Sequence, residues 1–530
     1  MNRIVLSVPA LLPLLGGMAL LLTSLFSPWA EKIRTARHLS WYVEGITLLN
    51  SVVLWWLIVC AGKEDSFVLF GLFGELKVMF CLDTMGKVFA GLISVLWPLA
   101  VLYSFEYMGG EPRQATFFSY YLMTYGVTAG IALSGNLMTL YLFYELLTLA
   151  TFPLVLFPMT KEAVRASRKY LYYSIGGAAF AFLGLVFVLS FSATGNTRFL
   201  PGGILDLAAA ESRRNTLLFI YVLAFFGFGV KAVVFPCHKW LPLATVAPTP
   251  VTALLHAVAV VKSGAFAILR LTYFSFGAAF IKGSWAQWVI MAAAMVTILY
   301  GSTMAVREVH WKRRLAYSTI SNLSYILLGA SMLSPAGLAA ALSHMVFHAF
   351  MKISSFFCAG AVMHQTGKTY IYELDGLGRK MPITFGCLTA ASLSLIGIPL
   401  FAGFISKWNL VNAAFLQGME QAAKGKMGLI CFGAAAVLLY SAFMTAIYML
   451  SVLIRAYAPA EKADSRMAAK AGEEGARQDR MTVPANEKAV QDPSWMMLVP
   501  LLVFTVVIIG FGIHSQPLME FLTAIGGDGA

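Results

Sequence analysis

The chain has 530 residues, of which 59% are hydrophobic and only 12% charged, with a mean hydropathy of +0.76. Soluble proteins run at roughly 45–50% apolar and about 25% charged residues, so lipid rather than water must solvate most of this surface. The net charge of +13, from 38 Lys+Arg against 25 Asp+Glu, fits basic loops flanking membrane spans. It does not point to nucleic acid, because no zinc-finger spacing or solvent-borne basic helix accompanies it.

A membrane span needs about 20 apolar residues. Taken in chain order, such runs are predicted at 4–26, 41–61, 84–108, 115–133, 137–158, 170–193, 216–238, 243–273, 287–306, 314–333, 336–363, 383–415, 427–454 and 496–514. The expected fold is therefore an all-α polytopic membrane protein of about fourteen transmembrane helices. Arg3 and the apolar run to Phe26 exceed a secretory signal core, so this segment is expected to be a retained first span.

Lys and Arg concentrate in alternate connections: Lys32, Arg34 and Arg37; Lys161, Arg165, Arg168 and Lys169; Arg307, Lys312, Arg313 and Arg314. That bias assigns the odd-numbered connections to the cytoplasm and both termini to the other side. The polar stretch 456–494, with Glu461, Lys462, Asp464, Glu473, Glu474, Arg477 and Arg480, reads as a mobile cytoplasmic loop. Residues 194–215 form the longest connection on the opposite side.

Two spans are punctuated by glycine and proline: GFGVKAVVFPCHKWLP at 227–242 and GIPLFAGFISKW at 397–408. Pro236 and Pro399 each remove a backbone donor and are expected to break their helices. Broken backbone at membrane depth is tolerated only against protein or a water-filled cavity. The two spans stand five apart, so spans 4–8 and 9–13 are expected to be inverted five-helix repeats, an arrangement that favours a transport path over two ordinary kinks. The resulting division is 1–110 for spans 1–3, 111–275 and 284–455 for the repeats, 456–494 for the polar loop, and 495–530 for the last span and tail.

Charges in hydrocarbon cost several kcal/mol and need a reason. Glu145 lies in span 5 and Lys231 in span 7, opposite charges in one repeat that would offset each other's burial; an ion pair fixing helix register is the plainer alternative. Lys262 lies in span 8 with no neighbouring carboxylate, which suits a reversible proton carrier, and His256 precedes it by six residues. His344, His348 and Lys352 recur at i, i+4 and i+8 of span 11 and so line one helical face. The two histidines lack the glutamate of a zinc-protease helix, so a hydrated proton path is preferred to a metal site. Lys407 follows the second break and could instead snorkel to an interface. Asp83, Lys87 and Glu44 near span ends read as interfacial, and the hydroxyls and amide of Ser318, Thr319, Ser321, Asn322 and Ser324 could hold water or glue helices.

No catalytic centre, cofactor or metal is expected in the chain itself. The six cysteines form no C-x-x-C, and neither a dinucleotide fingerprint nor a haem attachment motif occurs.

YELLTLATFPL at 144–154, VKAVVFPCHKWLP at 230–242, APTPVTALLHAVAVVKSGAF at 247–266, RRLAYSTISNLSY at 313–325, HMVFHAFMKISSFFCAG at 344–360 and GIPLFAGFISKW at 397–408 occur in that order. With these motifs the chain resembles the antiporter-like membrane subunits of respiratory complex I, Mrp-type cation/proton antiporters and membrane-bound hydrogenases. The resemblance implies a row of protonatable groups linked by water: Glu145 with its partner Lys231, central Lys262, the His344–His348–Lys352 axis, and terminal Lys407. It also implies partners, namely other membrane subunits including related antiporter-like ones, in an energy-coupling membrane such as the bacterial plasma membrane. The function expected is proton translocation driven by redox chemistry elsewhere in a complex or by a counter-moving cation such as Na⁺. The alternative is a non-pumping subunit that anchors such a complex. Whether the whole complex is an NADH/quinone oxidoreductase, a hydrogenase or an antiporter is left open by the residues.

Overall fold

The computed structural model describes residues 3–26, 36–62, 64–73, 76–193, 198–422, 426–458 and 490–529. In chain order the principal helices are α1 (Val8–Phe26), α2 (Ala36–Cys60), α3 (Thr84–Tyr107), α4 (Gln114–Ala132), α5 (Leu137–Leu156), α6 (Lys161–Ser190), α7 (Arg214–Gly229), α8 (Thr249–Ala257) and α9 (Val260–Leu269). The second half adds α10 (Trp285–Arg307), α11 (Trp311–Ser331), α12 (Pro335–Thr366), α13 (Pro382–Ile396), α14 (Ala402–Ala422), α15 (Lys426–Tyr457), α16 (Trp495–Ile513) and α17 (Gln516–Gly529). Ten helices among the described residues are long and apolar enough to cross a membrane. Every predicted apolar run overlaps a helix or a pair of broken half-helices. The polar loop expected at 456–494 falls largely outside the described residues, as do Lys32 and Arg34.

Two features lie outside the predicted spans, a hairpin and a helix. Strands β1 (Ser66–Phe73) and β2 (Leu76–Cys81) form an antiparallel hairpin between α2 and α3. Helix α17 follows the last predicted span and packs Leu522 and Ile525 inward. The connections meet at two ends. The hairpin end gathers Cys81 with Leu133, Phe199 with Gly135, and Gly202 and Ile204 with the end of the α9 segment, all through backbone hydrogen bonds. The other end joins Trp311 to Thr369 and Ile371 to Val309. It also fixes the start of α16: Asp492 accepts from the backbone amides of Ile383 and Thr384 at the start of α13, at 3.0 and 2.9 Å.

Helix α12 is the axis of the molecule. Each residue from Gly337 to Val362 is buried. Alanine, glycine and serine along this helix let neighbours approach closely, as membrane packing requires. At Gly360 an added Cβ would come within 2.5 Å of the Thr249 side chain and 2.6 Å of Tyr103 Oη, so glycine sets the spacing to α8 and α3.

Three interruptions shape the interior. Helix α7 stops at Gly229 and the chain runs through turns to Trp240, so Lys231 sits inside the break around Pro236 rather than on the helix before it. Helices α13 and α14 flank a gap at 397–401 that contains Pro399. The predicted span 243–273 is also divided, with a break at Val258–Ala259 and a π-helical turn at Arg270–Phe276. At that break Ala259 N–H donates to Leu254 O, an i→i−5 bond at 2.9 Å that marks a bulge in the ladder.

Candidate functional site

The breaks and the axial helix bring the predicted ionisable residues into the interior. Glu145 on α5 faces Lys231 across 3.7 Å. Lys231 is fully buried, whereas the Glu145 side chain keeps 28% exposure at the lateral face of the bundle. The ammonium also donates to Tyr144 O and lies 3.5 Å from the Tyr144 ring centroid, so a carbonyl and a π-face supplement the carboxylate. Tyr144 Oη in turn donates to Phe228 O at 2.8 Å, tying α5 to the end of α7.

Gly264 joins this pair to the centre. A Cβ there would lie 2.4 Å from Ala232 N, so only glycine lets α9 lie against the backbone of the α7 break. Lys262, two residues earlier and fully buried, points towards α12, where its Nζ is 2.5 Å from His348 Nδ1. His348 and His344 stack with ring centroids 5.5 Å apart and planes 18° from parallel. His344 Nδ1 is 3.0 Å from Ser406 Oγ on α14. A continuous line of side chains thus runs from Lys262 to the residue beside Lys407.

Lys407 does not snorkel. It is 8% exposed, and its ammonium donates to Leu395 O at 2.5 Å and Ile396 O at 3.2 Å. Those are the last carbonyls of α13, where free C=O groups and the helix dipole favour a cation. Gly403 makes the approach possible, since a Cβ there would collide with Ser394 O. Tyr325 bridges the same region: its ring lies 5.5 Å from Lys407 Nζ and 5.1 Å from the His344 ring.

Lys352, one turn beyond His348 on α12, leaves this line and donates to Ser318 Oγ at 2.6 Å and Leu315 O at 3.3 Å on α11. The charges of Lys262 and Lys407 act on Lys352, His344 and His348 alike, so one electrostatic field spans the group. His256 is not hydrogen-bonded into the row. Its ring packs 4.7 Å from Phe356, and among the described residues neither ring nitrogen has a partner. The field of Lys352 nevertheless reaches it.

Sequence reasoning did not single out Ser406, Tyr325 or Tyr448. Nor did it find the partner of Asp83, taken as interfacial: Asp83 forms a two-pronged ion pair with buried Arg270 of the π-turn, at 2.5 and 2.6 Å. His238 in the α7 break is also buried, with its ring 4.5 Å from Tyr300. Among the described residues no group of His, Cys, Asp or Glu is arranged to hold a metal ion.

Residues 134–453, more than half of the chain, match the transmembrane family described as NADH:quinone oxidoreductase/Mrp antiporter. The chain belongs to that family. It is an integral membrane protein of the antiporter-like type found in complex I and Mrp-type complexes. It is 32% identical over 432 residues to NADH-quinone oxidoreductase subunit N of Desulforudis audaxviator, an alignment covering 81% of this chain and 80% of that one. It is 36% identical over 358 residues to a Na(+)/H(+) antiporter protein of Alkalihalophilus pseudofirmus, covering 64% of this chain and 43% of that protein. The match therefore spans less than half the length of that antiporter protein.

Two solved structures share the fold. One is a chain of the membrane-bound sulfane sulfur reductase, an archaeal respiratory membrane complex, with a TM-score of 0.80 and 23% identity over 99% of this chain and 98% of that one. The other belongs to the Mrp complex of a Dietzia species, with a TM-score of 0.78 and 22% identity over 100% and 98%. The family match includes Glu145, Lys231, Lys262, the α12 row and Lys407, all of which lie between residues 134 and 453.

Proposed function

We propose that this chain carries protons across an energy-coupling membrane, such as the bacterial plasma membrane, as the antiporter-like subunit of a multisubunit complex. The observation that carries the reading is the 2.5 Å contact of Lys262 Nζ with His348 Nδ1 inside a fully buried core. Here a basic nitrogen meets a titratable ring nitrogen, so a proton has a donor and an acceptor within transfer distance.

On this reading the chain crosses the membrane fourteen times, with inverted repeats at 111–275 and 284–455 and the broken spans at matching places in each. Glu145 and Lys231 set the field at one end of the row. When their contact opens, the unneutralised Lys231 repels the proton held on Lys262, and His348 receives it. His344 and Ser406 pass it to Lys407, which releases it where the α13–α14 break meets the lateral surface. Lys352 holds a charge beside the row and biases the direction. His256, buried and within the field of Lys352, serves the loading of Lys262.

The driving force comes from partner subunits, through redox chemistry or through a counter-moving cation such as Na⁺. The test is proton uptake by vesicles holding the whole complex. Lys262→Ala and His348→Leu should each abolish uptake while the complex still assembles. Wild-type uptake in both variants would leave only an anchoring role.

A further inference from the structure

Lys352 is a fully buried lysine. Among the described residues no carboxylate pairs with it. Among the described residues the ionisable groups coupled to it by charge are all basic: Lys262 on α9, Lys407 on α14, His348 on its own helix and His256 on α8. What it does meet is a chain of hydroxyls. Lys352 Nζ lies 2.6 Å from Ser318 Oγ, Ser318 Oγ lies 2.6 Å from Tyr448 Oη on α15, and Tyr448 Oη lies 3.2 Å from Thr445 Oγ1. Lys352, Ser318, Tyr448 and Thr445 are each fully buried.

The far end of the chain fixes its polarity. Thr445 donates its one proton to Ser441 O at 2.7 Å, so its oxygen can only accept from Tyr448. Tyr448 thereby spends its only proton on Thr445 and must accept from Ser318. Ser318 then has no proton left for Lys352 and presents a lone pair to the ammonium. Every O–H dipole in the row points away from Lys352, and each bond polarises the next. Because the row ends on a backbone carbonyl, a proton cannot leave along it. It is a holder rather than a wire. Arg314 fixes the anchoring segment by donating to Tyr448 O at 2.9 Å and Ser451 Oγ at 2.6 Å.

We propose that Ser318, Tyr448 and Thr445 form a polarised hydroxyl chain that favours the ammonium form of Lys352, with oriented dipoles in the place of a carboxylate. Ser318 and Tyr448 are then positioning residues for transport. The inference rests on the proton-carrier reading above and adds a division of labour. Lys262 faces a titratable ring and exchanges its proton, whereas Lys352 faces fixed lone pairs and keeps its own.

The experiment is the pH profile of proton transport by the whole complex in vesicles, for Tyr448→Phe, Ser318→Ala, Ser318→Thr and Lys352→Met. Tyr448→Phe keeps the ring and removes the acceptor. Its alkaline half-maximum should move towards acid by about one pH unit, a tenfold weaker hold on the proton. Ser318→Ala should move it the same way, and Ser318→Thr, which restores the hydroxyl, should return it to the wild-type position. An unmoved profile in Tyr448→Phe, with Lys352→Met inactive, overturns the hydroxyl chain and leaves the proton-carrier reading standing. A uniform loss at every pH without a shift also overturns it, because that is the signature of a merely structural residue. Wild-type transport in Lys352→Met overturns both the chain and the place of Lys352 in the row.

Discussion

Replacing Glu145 by glutamine removes a charge and almost nothing else, which makes it the sharpest probe of the Glu145–Lys231 pair. At 3.7 Å, and with an effective dielectric of about 20, the two charges attract by about 4 kcal/mol. The Tyr144 carbonyl and ring face remain to hold the lysine. What disappears is the field that opening and closing the pair imposes on Lys262. Proton uptake, followed by a pH-sensitive dye in inside-out vesicles at matched complex content, should fall at least tenfold in Glu145→Gln. Glu145→Asp, with the charge kept but the reach shortened, should give an intermediate rate. Uptake at the wild-type rate in Glu145→Gln would refute the reasoning, since a pair whose loss of about 4 kcal/mol changes nothing is structural or idle.

Further outcomes follow from packing and from the chain ends. Gly264→Leu drives a side chain into the backbone at Ala232, and overpacking of this kind typically costs about 1–3 kcal/mol; the thermal midpoint of the purified complex should fall, and an unchanged midpoint would show that α9 can retreat freely. Arg270→Met leaves Asp83 unpaired inside the hairpin end, at a cost of about 3–5 kcal/mol, and Arg270→Lys should not rescue it because a lysine cannot make the two-pronged contact; recovery of complex after solubilisation reports this. His310, in the connection before α11, is pushed down to about 3, first by burial and then by Lys312 and Arg313. The unfolded chain therefore binds the extra proton between about 3 and the ordinary value of about 6.5, so stability should drop as pH falls through that window, and His310→Gln should flatten the slope in an unfolding titration.

How much of this was legible in the sequence depends on whether a feature is local. The α7 and α13–α14 breaks are signalled by Pro236, Pro399 and the glycines around them, because proline and glycine act on the backbone where they stand. The α8–α9 break has no such mark: HAVAVVKSG reads as a continuous apolar helix, and the bulge at Ala259 carries no proline or glycine of its own. The hairpin is written only as a faint alternation in SFVLFGLFGELKVMFC, inside a stretch that otherwise resembles a loop. Buried charges announce themselves by their cost in hydrocarbon, so Glu145, Lys231, Lys262, His344, His348, Lys352 and Lys407 stand out in the chain. Their partners do not. Lys262 meets a histidine 86 residues away, His344 a serine 62 away, and Ser318 a tyrosine 130 away. Serine and tyrosine in an apolar helix are too common to mark themselves. Asp83 looked interfacial because its partner, Arg270, lies 187 residues further along.

The central claim is that protons move through this chain by way of Lys262. The most direct measurement takes one vesicle preparation of the whole complex and records proton uptake together with the rate of the driving reaction, whether electron transfer or Na⁺ exchange. Protons moved per turnover are then compared between wild type and Lys262→Ala. The account predicts that the ratio falls, with assembly intact and any residual driving reaction uncoupled from proton movement. A ratio equal to wild type would contradict it.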